Sequence, residues 1–162
     1  MVGATGNQGR AVVDQLLRAE SAFDILALTR DATTDRAQAI AETGDAVDVV
    51  EGHLGEPDTL SDHVGRADAV FAVINFWTQG YDRQVRFGQT LAEVLGTTDG
   101  IHHVVYSGVA NQDLETGIPH FESSQTIAEA FRSEGLPLTT LKPVLFMENW
   151  EVLLEDIAAG TL

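Results

Sequence analysis

The sequence predicts an α/β fold, a doubly wound parallel sheet, on three observations. Short apolar runs alternate with helix-period segments along the whole chain, the pattern of βαβ units. Ala69-Val-Phe-Ala-Val-Ile74 is a continuous apolar run, as expected of a strand buried on both faces. Gly3-Ala-Thr-Gly6-Asn-Gln-Gly9 spaces its glycines three apart directly ahead of an amphipathic segment, a strand-to-helix turn in sequence form.

Val12, Val13, Leu16 and Leu17 recur at helical spacing and predict a helix over 8–20, followed by a strand over Phe23–Thr29. A weaker helix near 35–43 precedes a strand at Asp48–Val50. The next helix runs from Pro57 to Val64, with Pro57 suited to a first helical turn. After the Ala69–Ile74 strand, Val85, Leu91, Val94 and Leu95 mark a helix from Tyr81 to Leu95. Gly96 and Gly100 punctuate the link to a strand at Ile101–Tyr106. Residues 122–134 form another helix, and Leu138–Leu141 begins a last strand that Pro143 stops. That makes five full strands, because the first has only Met1 and Val2, against the roughly five or six residues of an ordinary strand.

The 162 residues, 44% of them apolar, suffice for one domain with its own core, 1–162, without a metal or a disulfide. There is no cysteine, which removes disulfides, Cys-based zinc sites and thiol nucleophiles. Twenty-five acidic residues against nine basic ones give a formal charge of −16, and Lys142 is the lone lysine among eight arginines. That balance argues against direct contact with nucleic acid or an anionic membrane, which demand a basic face. The chain carries neither a signal-peptide pattern nor an apolar run of membrane-spanning length, so the expectation is a cytoplasmic protein. The acid excess with almost no lysine suits a halophile's chain, its carboxylates holding water while salt screens their repulsion, the alternative being a moderately acidic mesophilic protein.

The glycine loop carries specific physics. One glycine makes the tight turn, a second lets the backbone approach a pyrophosphate, and a third permits close helix packing. The following helix start then offers free N–H groups and a positive dipole end to the phosphates. Arg30 lies 21 residues beyond Gly9, immediately after the second strand, where an adenosine ribose is read. Arginine there offers a fork to a 2′-phosphate and so favours NADP, with NAD the alternative.

The loop Gly3–Gly9, the strand end Phe71-Ala-Val-Ile-Asn-Phe-Trp77, and above all Pro119-His-Phe-Glu-Ser123 and Pro143-Val-Leu-Phe-Met-Glu-Asn-Trp150 resemble the NmrA-like family of atypical short-chain dehydrogenases/reductases. The resemblance covers essentially the whole chain. It implies a Rossmann domain with a smaller C-terminal portion and NAD(P) binding, in a family that includes transcriptional co-regulators, NADPH sensors and reductases of quinones and isoflavone-type compounds. It implies that Gly3, Thr5, Gly6, Asn7, Gln8 and Gly9 surround the pyrophosphate and that Arg30 stands near the adenosine 2′ position. His53 and Leu54 take the turn where the wider superfamily has an aspartate that reads adenine. Ile74, Asn75 and Phe76 close the fourth strand beneath the nicotinamide ribose, and Ser107 closes the fifth.

The superfamily's Tyr-x-x-x-Lys pair falls here on His120 and Ser124, so the usual proton-transfer pair is missing. His120 is the remaining acid candidate, against the alternative of a histidine that only packs at the cleft edge. Trp77, His120, Phe146 and Trp150 are candidates to wall a substrate pocket, or else core aromatics. No metal site is expected, since His102 and His103, adjacent on a strand, face opposite sides. Two readings follow: an NADP(H)-responsive regulator or redox sensor read by a protein partner, and an NAD(P)H-dependent reductase of quinones or similar acceptors. Measured against that family, both ends look clipped: the central strand is nearly absent, leaving its two neighbours without the strand that joins them, and the C-terminal substrate portion is truncated.

Overall fold

The computed structural model describes residues 1–19 and 23–161. Among the described residues helices and strands alternate as expected through β5, and two further helices follow: α1 (Asn7–Arg18), β1 (Ile25–Thr29), α2 (Asp35–Ala41), β2 (Val47–Glu51), α3 (Asp58–Val64), β3 (Ala69–Val73), α4 (Phe76–Gly96), β4 (His103–Ser107), α5 (Pro119–Ser133), β5 (Leu138–Leu141), a 3-10 helix (Met147–Leu153) and α6 (Leu154–Ala159). All strand pairs are parallel: β1 on β2, β3 on β4, and β4 on β5.

The central position corrects one expectation. Val2 alone bridges Leu28 of β1 on one side and Ala72 of β3 on the other. Its N–H donates to the Phe71 carbonyl at 2.8 Å, and the Leu28 N–H donates to the Met1 carbonyl at 3.0 Å. Met1, bonded to β1, and Val2, bonded to β3, therefore join the two halves into the order β2-β1-Val2-β3-β4-β5, because the buried backbone groups beside them need partners and find them there.

Boundaries shift by a few residues for local reasons. The helix predicted over 8–20 is seen at Asn7–Arg18, and its last expected residue, Glu20, lies outside the described residues. Pro57 is the cap residue before α3 rather than its first turn. The main departure is α4, which starts at Phe76 and not Tyr81. The Asn75 side chain caps it by accepting from the Trp77 N–H at 2.8 Å. Gly80, at φ 71°, breaks the helix after one turn, a conformation that glycine adopts without a Cβ penalty. Phe76–Gln79 is thus a separate turn with its own direction, and Phe76 opens a helix where a strand end was expected. Likewise α5 begins at Pro119, three residues ahead of the predicted start, with proline in the first turn.

Helices cover both faces of the sheet. Ala4, Val13, Ile25, Ala27, Ile40 and Val47 form one core beneath α1 and α2. Val70, Ala72, Leu91, Leu95, Val104, Tyr106, Ile127 and Phe131 belong to the larger core beneath α3, α4 and α5. α4 and α5 approach closely through Gly88, where a Cβ would come 2.4 Å from Ile127 Cγ1. This packing brings the start of α4 beside the start of α5 at the carboxyl edge of the sheet, where open α/β folds place their ligands.

Candidate functional site

The glycine loop is a cradle with no room for side chains. Gly3 has φ 81°, and a Cβ on it would meet Val73 Cγ1 at 2.4 Å. A Cβ on Gly9 would lie 2.1 Å from the Gly3 carbonyl oxygen, so α1 sits directly on the loop. Gly6 caps α1 without a side-chain bond, and no acidic residue occupies the first turn. The first N–H groups therefore have no internal acceptor, and the dipole end has no competing carboxylate, the two conditions for anion binding. Thr5 is half-buried; Asn7 opens the helix, exposed.

Gln8 projects from that first turn to the end of β4. Its amide Nε2 donates to Ser107 Oγ at 2.8 Å, and its Oε1 lies 2.9 Å from the same oxygen. Ser107 is buried, so the pair fixes the glycine loop against the far half of the sheet across 99 residues of chain. Ile74 lies in the larger core and Leu54 packs against it, and the Ile74 carbonyl accepts from the buried Gln84 Nε2 at 2.7 Å.

Arg30 does not stand alone. It lines a cleft of about 590 Å³ with His53, Gly55, Thr78, Gln79, Arg83, Arg86 and Phe87. Three of the chain's nine cationic side chains thus converge on one cleft whose lining includes no carboxylate. Among the described residues the side-chain ion pairs are Arg66–Asp48 and Lys142–Asp113, and the cleft arginines take part in neither. Bringing like charges together is unfavourable unless an anion sits between them. Arg83 and Arg86 were not singled out from the sequence. Their signal was the spacing: three apart on a helix puts both on one face, in a chain otherwise short of cations.

At the other end, four rings gather. His120, in the first turn of α5, has its ring centroid 5.1 Å from Phe76, 5.2 Å from Trp77 and 5.6 Å from Phe121. Trp77 is 79% exposed and so forms a ledge at the surface rather than part of the core. Burial pushes the His120 pKa below its ordinary 6.5 by penalising the charged ring. The folded state favours the neutral form, so stability falls as pH drops through 6.5 toward the folded value. An NMR titration of the His120 ring should give a midpoint below 6.5; one at or above it contradicts the desolvation.

Ser124, at the superfamily's lysine place, is buried, and its Oγ accepts from the Tyr106 hydroxyl at 3.4 Å. Tyr106 is itself fully buried, and desolvation pushes its pKa up to about 12. Neither group presents a charge to the cleft. Phe146 and Trp150 lie after β5, both partly exposed, and make no ring contact with the Trp77–His120 cluster among the described residues. His103 opens β4 with Nε2 2.9 Å from Thr139 Oγ1. Among the described residues no cluster of three or more His, Asp or Glu side chains is placed to hold a metal, and no helix is long and apolar enough to cross a membrane.

An NmrA-like oxidoreductase of Penicillium ochrochloron is 31% identical over 159 residues, covering 91% of this chain and 47% of its own. An NAD(P)H azoreductase of Xenophilus azovorans is 31% identical over 152 residues, covering 92% and 48%. The chain therefore spans about half the length of the curated relatives it matches. The fold matches that of the Citrobacter triphenylmethane reductase solved with NADP(H), with a TM-score of 0.82 at 24% identity over 98% of this chain and 54% of that one. It also matches NmrA, a negative transcriptional regulator, with a TM-score of 0.75 at 18% identity over 91% and 45%. The family model for NmrA-like proteins matches residues 1–160, and the chain belongs to the NmrA-like family.

Proposed function

We propose that this chain is an NADP(H)-binding module whose occupancy is read by a protein partner, a redox-responsive regulator rather than a proton-relaying dehydrogenase. The carrying observation is the fate of the two catalytic places. Ser124 is buried against Tyr106, and His120 is packed among aromatic rings with its charged form disfavoured. No side chain there can hold a nicotinamide ribose by charge or lower the pKa of a neighbouring acid.

Binding needs neither residue. The residues present suit the dinucleotide: the glycine cradle and free first turn of α1 suit a pyrophosphate, and the arginine cleft suits a 2′-phosphate, which selects NADP over NAD. Gln8 and Ser107, bonded to each other, tie the glycine loop to the end of β4.

One observation favours a second reading, reduction of a quinone or similar acceptor. The exposed Trp77 beside His120 makes a ledge for a flat ring, and relatives are named as oxidoreductases. A bound dihydronicotinamide supplies the hydride in such chemistry, and the chain's part is to align the acceptor and exclude water. NADPH affinity followed by NADPH consumption with a quinone panel separates the readings. Tight binding without turnover supports the sensor, turnover supports the reductase, and no binding overturns both. The same samples test the proposed halophile origin: the melting temperature should rise between low and molar salt, and a flat profile contradicts it.

A further inference from the structure

His53 occupies a turn that is held unusually firmly for a surface loop. Its N–H donates to Thr59 Oγ1 at 2.9 Å, and its carbonyl accepts from the Glu56 N–H at 2.8 Å. The ring stands edge-on to Phe87 at a centroid distance of 5.3 Å and an angle of 86°. The Gly55 N–H donates to Nδ1 at 3.0 Å. That bond settles the tautomer. A nitrogen that accepts an N–H carries no proton of its own, so in the neutral ring the proton is on Nε2. The Nε2–H has no protein acceptor among the described residues, and the residue lines the cleft that Arg30, Arg83 and Arg86 also line.

We propose that His53 is a specificity-determining donor of the anion cradle, its Nε2–H joining the guanidinium groups of Arg30, Arg83 and Arg86 to hold a phosphomonoester. The argument is one of chemical type. A carboxylate at this turn would accept hydrogen bonds and repel an anion; a fixed Nε2–H donates and does neither. The guanidinium groups of Arg30, Arg83 and Arg86 and the His53 Nε2–H are donors, and a phosphomonoester dianion offers three acceptor oxygens and no donor. Preorganisation adds to this, because Gly55 and Phe87 hold the ring and Thr59 holds its backbone before a ligand arrives. The inference rests on the NADP(H) reading, and the ligand's 2′-phosphate is the phosphomonoester in question. Free phosphate shares that chemistry.

The test uses the full chain and three probes: NADPH, NADH and inorganic phosphate as a competitor of each. His53→Ala should weaken NADPH about tenfold and leave NADH within about twofold, the loss of one donor to a charged acceptor. His53→Asp should weaken NADPH by about 100-fold, since it adds repulsion to the loss. In wild-type protein the ¹⁵N signal of His53 Nε2 should move on adding NADPH and stay still on adding NADH, a readout that a structural role would not produce. If phosphate alone moves that signal while NADPH does not compete with it, the cradle serves free phosphate and the 2′-phosphate assignment is overturned. NADPH affinity that falls in Arg30→Ala but is unchanged in both His53 variants overturns this proposal and leaves the NADP(H) reading intact. Absence of NADPH binding by the wild type overturns both.

Discussion

Arg30→Ala is expected to weaken NADPH binding by about 10- to 100-fold and to leave NADH within about twofold, which calorimetric titration of both cofactors would measure. The size follows from the setting. Arg30 comes directly after Thr29, the last residue of β1, so its backbone is held by the sheet while its side chain reaches the cleft. A guanidinium–phosphate pair with two parallel N–H bonds is among the stronger polar contacts in water, and removing it costs about 1.5–3 kcal/mol. Arg83 and Arg86 remain, which keeps the loss below complete abolition. Each of them, replaced singly, should produce a smaller loss of the same kind, confined to NADPH. Equal losses of NADPH and NADH would place Arg30 elsewhere than at the 2′-phosphate.

Gly9→Ala has the larger effect on the fold itself. The added Cβ would come 2.1 Å from the Gly3 carbonyl oxygen and 2.7 Å from Ala4 Cα, and both are backbone atoms. The loop cannot retreat, because Gly3 is already pressed on Val73, and Met1 and Val2 just before it are hydrogen-bonded to β1 and β3 respectively. Overpacking against fixed backbone is expected to cost about 2–4 kcal/mol. In a chain of this size that lowers the melting temperature by about 5–15 °C. NADPH binding should be lost with it, since the displaced turn carries the phosphate donors. Gly65→Ala is the matched control. Its Cβ would make only an ordinary contact, 3.7 Å from the Ser61 carbonyl oxygen, and both melting and binding should stay unchanged.

These two residues were legible from the sequence because each belongs to a local pattern. The glycine spacing and the strand before Arg30 are properties of a few consecutive residues, and the alternation of apolar runs with helical segments is equally local. What was not legible depends on contacts between distant elements. Nothing in Met1-Val2 announces that two residues can join β1 to β3; they do so because Leu28 donates to the Met1 carbonyl while Val2 bonds Phe71 and Val73. Ser124 was identified as a missing lysine, but its burial against Tyr106 arises only when α5 packs on β4. Leu54 and Ile74 turn their side chains toward the larger core, a packing that only the assembled fold shows.

Other features had signals that were present and unused. Asn75 ahead of Phe76-Trp77 is a helix-cap residue, and Pro119 suits a helical first turn. Reading them would have started α4 and α5 where the structure starts them. With those starts in place, Trp77 and His120 fall at adjacent helix N-termini, and their contact follows.

The central claim is that an acidic chain has reserved a cationic cleft and an uncapped helix start for NADP(H). Titration of the wild-type chain with NADPH and then NADH tests it most directly. The account predicts one site per chain and NADPH at least about tenfold tighter than NADH; equal affinities, or no binding of either cofactor, would contradict it.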